Sequence, residues 1–433
     1  MASTSTLMRS LTFLIVVAAS MVTSQMVAAQ SKADGKPAMS FTRVAMIESK
    51  PPPSSSGAHL IQLNDKKDIA AVAMYGCKTV FWNLKTNAAI GEPTQQSGDA
   101  GAIGFITNSN LAYTADWDSM QIWNQETALK SGKSIPHRLR EDSVLAPAIS
   151  PNGKVLVTRN KMNSLRFWNL ETQKSIGPEH THESMVSKIQ FSADNKWCFS
   201  RANTLSIWNP MTAELVAESI RNNVYSTAYL PARQYLVTFE HDRKDPFSKS
   251  EVMIRSGAAD WRPVRQFELP GQAQRAEWID QHRLLVIGTE VGEKFKTVGF
   301  VVHLNQLTPK FELVFKYEYP ISDYAITKDR QHLVIISRRK VSCWKIGETK
   351  PKWERAWTGK HWRKQVFSTD PDWVMAHALG ENAIAYSIKD GKELWRKREV
   401  IYANTDGKHI LVTSKDGAEV WQWDVAKTGK KIE

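Results

Sequence analysis

The chain has 433 residues, 42% of them hydrophobic and 16 of them Trp, which is ample for a core, while three scattered Cys (77, 198 and 343) leave no disulfide framework. Lys and Arg number 57 against 44 Asp and Glu, a formal charge of +13, so the field of the molecule favours acidic partners. No GxSxG, P-loop or HExxH string occurs, so the chemistries those motifs carry have no bearer here.

In chain order, Arg9 precedes LTFLIVVAASMV (11–22), an apolar run too short to cross a bilayer comfortably, and MVAAQ follows with a small-residue cleavage pattern after Ala29. Residues 1–29 therefore read as a signal peptide. The mature protein is expected to be exported, periplasmic or secreted, with no transmembrane anchor after cleavage and no nucleic acid among its partners. Residues 30–57 hold one β-like run, SFTRVAMIE (40–48), and a Pro/Ser linker, KPPPSSSG (50–57).

From residue 58 the chain repeats itself. TVFWNLKTNAAIG (79–91) returns as SLRFWNLETQKSIG (164–177), and related phrases place Trp82, Trp123, Trp168, Trp208, Trp344 and Trp423 at spacings of 41, 45, 40, 136 and 79. The two long gaps are three periods and two periods of about 40–45 residues. Units without Trp fit them, around Arg255, His303 and Tyr386. Within a unit, short alternating runs lie between Asn, Asp, Ser and Gly turns, as in VSKIQF, KWCFS, LSIWN and ELVAE over residues 186–218. Four strands per unit is the pattern of a propeller blade. The expected fold is all-β, a single β-propeller of four-stranded blades over residues 58–433, with nine repeat units counted and eight as the fallback. The run at 41–47 is expected to supply the outer strand that the last unit lacks, closing the ring.

These residues resemble the WD40-repeat family. FSADNK (191–196) and ISPNGK (149–154) match its first turn, WDVAK matches its third-strand end, and His182 lies where the family places its Gly-His histidine. The resemblance implies a propeller that binds proteins, with the six Trp and His182 as structural anchors. Asn mostly replaces the Asp after Trp, which puts the family's buried hydrogen-bond tetrad in doubt in most blades. A weaker resemblance links AIAYSIKDGKELWR (383–396) to the tryptophan-docking repeat of quinoprotein-like propellers, which include redox enzymes and envelope assembly factors. The vicinal Cys pair of those enzymes is absent.

The remaining motifs read as structure. GDAGAIG (98–104) has the wrong spacing for a dinucleotide loop, and His180 and His182 in EHTHE lack a third metal ligand nearby. No catalytic, cofactor or metal residues are expected. One basic sector stands out: Arg338, Arg339 and Lys340 in one loop of unit seven, and Lys360, Trp362, Arg363 and Lys364 in the loop into unit eight. In a propeller both loops open on one face. The reading is an exported, non-catalytic and monomeric interaction scaffold that meets a protein or anionic polymer through this rim. The quinoprotein-like alternative, an assembly factor or a degenerate redox enzyme, stays open.

Overall fold

The computed structural model describes residues 40–48, 58–64, 66–116, 118–136, 147–160, 163–218, 224–240, 245, 248–291, 296–306, 308–317, 320–357, 364–368 and 370–424. The expected signal peptide (residues 1–29) and the Pro/Ser linker lie outside them.

Nine four-stranded antiparallel sheets account for the strands. Blade 1 holds Ala58–Asn64, Ile69–Met74, Lys78–Asn83 and Ala88–Gln95, from the inner edge outward. Blades 2 to 8 repeat this order over residues 102–136, 148–181, 188–218, 224–268, 271–317, 321–356 and 364–400. Blade 9 takes three strands from residues 402–424 and its outer strand from the N-terminus: Ser40–Glu48 pairs with Gly417–Asp424, antiparallel, Phe41 opposite Trp423 and Ile47 opposite Ala418.

The repeated phrase at 79–91 and 164–177 is explained by its hydrogen bonds. The Asn after Trp closes the turn between the third and fourth strands. Asn83 Oδ1 accepts from the N–H of Lys85 and Thr86 (2.9 and 3.1 Å), and Asn169 Oδ1 from Glu171 and Thr172 (2.9 Å each). Asn124 and Asn209 do the same at 2.9 and 3.0 Å. Asn therefore does at this position a turn-forming job open equally to Asp. The Gly of each Ile-Gly pair has positive φ (+64° at both Gly91 and Gly177), and a Cβ on Gly91 would lie 2.8 Å from Thr127 O in blade 2. The first turn is equally uniform: Ser150, Ser192 and Thr327 hydroxyls each accept the N–H five residues on, at 2.9 Å.

Nine hydrophobic clusters match the nine blade junctions. One cluster joins blades 1 and 2 through Phe81, Ile103 and Trp123, and another joins blades 4 and 5 through Phe199, Ile207 and Trp261. The last two close the ring: Phe41, Trp373, Trp395 and Trp423 fill the junction of blades 8 and 9, and Ile47, Ile61, Val72 and Val420 that of blades 9 and 1. Each sheet gains its core from its neighbours, which is the logic of repeat proteins.

The anchors differ from blade to blade. Trp123 and Trp168 donate their indole N–H to Thr114 and Thr158 (2.8 Å each), and Trp208 donates to Ser200 (2.7 Å), whose Oγ also meets His182 Nε2 at 3.1 Å. In blade 1 the corresponding second-strand residue is Val72, and Trp82 turns to Asn87 instead (3.3 Å). In blade 5 the Trp place is taken by Arg255, whose Nη2 lies 3.7 Å from the buried Glu240. In blade 9 the register assigns the anchor place to Trp421, opposite Ile410, while Trp423 N donates to Lys408 O as Leu170 N does to Lys154 O in blade 3. Trp423 thus sits two residues beyond the expected position and packs on Phe41. Blade 7 also docks on blade 8 through Trp353, whose indole N–H donates to Ile388 O (3.0 Å) against the bare face of Gly391 in the docking-like segment.

Candidate functional site

Each blade is a meander. The turn between its second and third strands and the connector to the next blade emerge at one end of the channel, and the other two turns at the opposite end. Arg338 and Arg339 form the second-to-third turn of blade 7, and Trp357 and Lys364, which flank the connector to blade 8, lie at the same end.

The structure ties the two segments together. Trp357 N–H donates to Arg339 O (2.7 Å), and Lys364 Nζ donates to Ser337 O (3.2 Å) and Arg338 O (2.7 Å). Both ends of the connector are therefore fastened to the arginine turn. Lys360, Trp362 and Arg363 lie outside the described residues.

The four described basic residues play different parts. Arg338 and Arg339 are exposed at the turn. Lys340 is half-buried, pairs with Glu354 (2.6 Å) and lies 5.0 Å over the Tyr317 ring, so its charge is largely answered. Lys364 is buried (5% exposed) and opens the inner strand of blade 8 instead of ending a loop. Burial lowers its pKa, Glu381 opposes that effect and Arg338 adds to it. Lys364 braces the turn that presents the two arginines. An apolar neighbourhood in the strand pattern, QVF after Lys364, was the available sign of this.

Beside the turn, the inner strands of blades 6 to 9 wall a cleft of about 460 Å³ lined by Arg275, Asp323, Lys364, Gln365 and Tyr402 among others. The spacing of repeats did not single out these residues, because they come from four separate repeats. Arg275 Nη1 binds Asp323 Oδ1 at 2.7 Å, and Asp323 Oδ2 accepts the Val366 N–H at 3.1 Å, so one carboxylate links blades 6, 7 and 8. Between blades 9 and 1 the same stitching is done by Gln62, which donates to Tyr402 Oη and accepts from Asn404 Nδ2 (3.2 Å each).

The remaining sequence candidates are structural in place. His182 is buried with its Nε2 against Ser200, and its pKa is lowered by burial, with Glu218 opposing and His180 adding. Cys198 and Cys343 are buried strand residues, and burial pushes their thiols up in pKa.

No protein-family model matches the chain, and no curated protein matches it. Among solved structures it is similar to a eukaryotic initiation factor (14% identity, 86% of this chain and 96% of that one, TM-score 0.61). It is also similar to the computationally designed Ika8 protein (12% identity, 88% and 99%, TM-score 0.50). The C-terminal WD40 domain of Sif2 is a more distant likeness (16% identity, 63% and 78%, TM-score 0.47). At such identities the likeness concerns fold alone. The chain folds as a nine-bladed β-propeller.

Proposed function

We propose that the protein is an exported, non-catalytic interaction scaffold that receives an acidic protein or anionic polymer on the channel end bearing Arg338 and Arg339. The supporting observation is the built turn: it carries two exposed arginines, and its backbone carbonyls accept bonds from the Trp357 N–H and the buried ammonium of Lys364. Spending a buried lysine to brace two exposed arginines makes sense where their placement matters. Arginine offers a planar fork to carboxylate or sulfate groups, and Trp362 would add apolar contact from the intervening connector.

Export rests on the 1–29 segment and is checked by sequencing the N-terminus of the protein recovered from the cell envelope or medium. A start at Gln30 supports it, and recovery of the intact Met1 chain from the cytosol overturns it. The non-catalytic reading is checked by adding pyrroloquinoline quinone and calcium to the purified protein and following dye reduction with alcohols and sugars. Turnover above the protein-free rate would favour the quinoprotein-like reading instead.

A further inference from the structure

The cleft between blades 6 and 9 has more hydrogen-bond donors than acceptors. Its lining carboxylate, Asp323, has both oxygens engaged, one by Arg275 and one by the Val366 N–H. Arg275 uses only Nη1 in that pair and stacks 5.7 Å over Tyr324, so its guanidinium plane is fixed while other N–H groups remain to donate. Lys364 gives protons to Ser337 O and Arg338 O and keeps a third, with Glu381 as the other carboxylate near it. Tyr402 Oη accepts from Gln62, which leaves its own proton to donate, and burial raises its pKa so the proton stays. Gln365 is exposed to the cleft and makes no side-chain hydrogen bond among the described residues.

A further cation lies within electrostatic reach of Arg275. Lys188 on the inner strand of blade 4 is paired in register with Arg201, and burial together with Arg201 and Arg275 pushes its ammonium pKa down. Like charges gathered on a partly desolvated wall raise the local concentration of anions. A volume of about 460 Å³ is that of a small-ligand site.

We propose that this cleft binds a small oxyanion, a ligand presenting a phosphate or carboxylate group, with Arg275 and Lys364 supplying charge and Gln365 and Tyr402 donating hydrogen bonds. The fixed guanidinium plane selects for a planar or tetrahedral group offering two oxygens on one side. Lys364 also braces the arginine turn, so the charge control is placed at the opposite end of the channel.

The test is calorimetric titration of the exhaustively dialysed protein at low salt, with inorganic phosphate in one arm and succinate in the other. Saturable one-site binding of either is expected, and the preferred arm tells phosphate from carboxylate ligands. Gln365→Glu places a carboxylate in the cleft without removing any partner; it should weaken binding by about tenfold or more. Gln365→Leu should weaken it less, and both variants should melt like the parent. Replacing Lys66 and Lys85 with Glu, in turns at the opposite end of the channel, should change affinity by no more than about twofold. Absence of saturation in both arms would overturn the proposal. So would Gln365→Glu binding as well as the parent, or the Lys66 and Lys85 reversal matching its effect.

Discussion

Replacing Phe41 with Ala tests how the ring is closed. Phe41 is the aromatic residue of the N-terminal strand, 9% exposed, with its ring centroid 4.6 Å from Trp423, 5.1 Å from Trp373 and 6.2 Å from Trp395. Truncating a buried Phe to Ala costs about 3–5 kcal/mol through lost transfer energy and the cavity left behind. Three indole neighbours fix the site, and each aromatic pair adds ~0.5–1.5 kcal/mol beyond its area, so the loss should fall in the upper half of that range. The backbone ladder of Ser40–Glu48 against Gly417–Asp424 would remain but lose its apolar fastening. Denaturant unfolding should report the stability loss, and hydrogen exchange should show amides 41–47 and 418–423 opening well before the rest. Phe81→Ala, in the junction of blades 1 and 2, should cost a similar amount without releasing the N-terminal strand. A loss under about 1 kcal/mol for Phe41→Ala, or exchange at 41–47 no faster than in the Phe81 variant, would refute closure by this strand.

Ser200→Ala removes the acceptor of the Trp208 indole and the partner of His182 and leaves a buried donor unanswered; it should cost about 1–3 kcal/mol, and a Ser200→Thr variant should recover most of it in the same unfolding assay. Glu240→Ala removes the buried carboxylate facing Arg255 in blade 5 and should cost about 3–5 kcal/mol, whereas joint replacement of Glu240 by Gln and Arg255 by Met should cost less than Glu240→Ala alone. His182 has a folded-state pKa below its ordinary value, so the unfolded chain takes up its proton first as the pH falls. Its contribution is complete above about pH 6.5 and lost below it, so the melting temperature should drop between about pH 7.5 and pH 5, and less steeply in His182→Gln. Burial lowers His59, His180 and His332 as well, so the variant should reduce that slope and not abolish it.

Much of the fold could be read from residue order because one physical solution is repeated. Trp-Asn followed by a turn is legible wherever the indole, its Ser or Thr acceptor and the Asn-capped turn occur together, as in blades 2, 3 and 4. Blades 5 and 6 keep the spacing but place Arg255 and Val302 where Trp is expected, and only strand register identifies them. The last anchor was displaced by two residues because WQW offers two indoles, one for the anchor place and one for Phe41. At the rim, sequence could supply the charges but not their roles. Lys364 and Arg338 look alike in a string, yet one is buried beneath the other's carbonyl. The cleft was illegible for a simpler reason: its walls come from four separate repeats, and no local spacing joins Arg275 to Tyr402.

The measurement that bears most directly on the scaffold reading is retention on a carboxylated or sulfated polymer, compared between two charge-matched double variants. One replaces Arg338 and Arg339 with Glu at the arginine turn. The other replaces Lys66 and Lys85, which sit in turns at the opposite end of the channel, Lys85 being paired with Asp68 at 3.0 Å. Both change the net charge equally. The account expects the first variant to elute at clearly lower salt than the parent and the second to elute near it, with all three converging as salt shortens the Debye length below about 8 Å. Equal shifts in the two variants would mean that overall charge alone governs binding, and the arginine turn would not be a site.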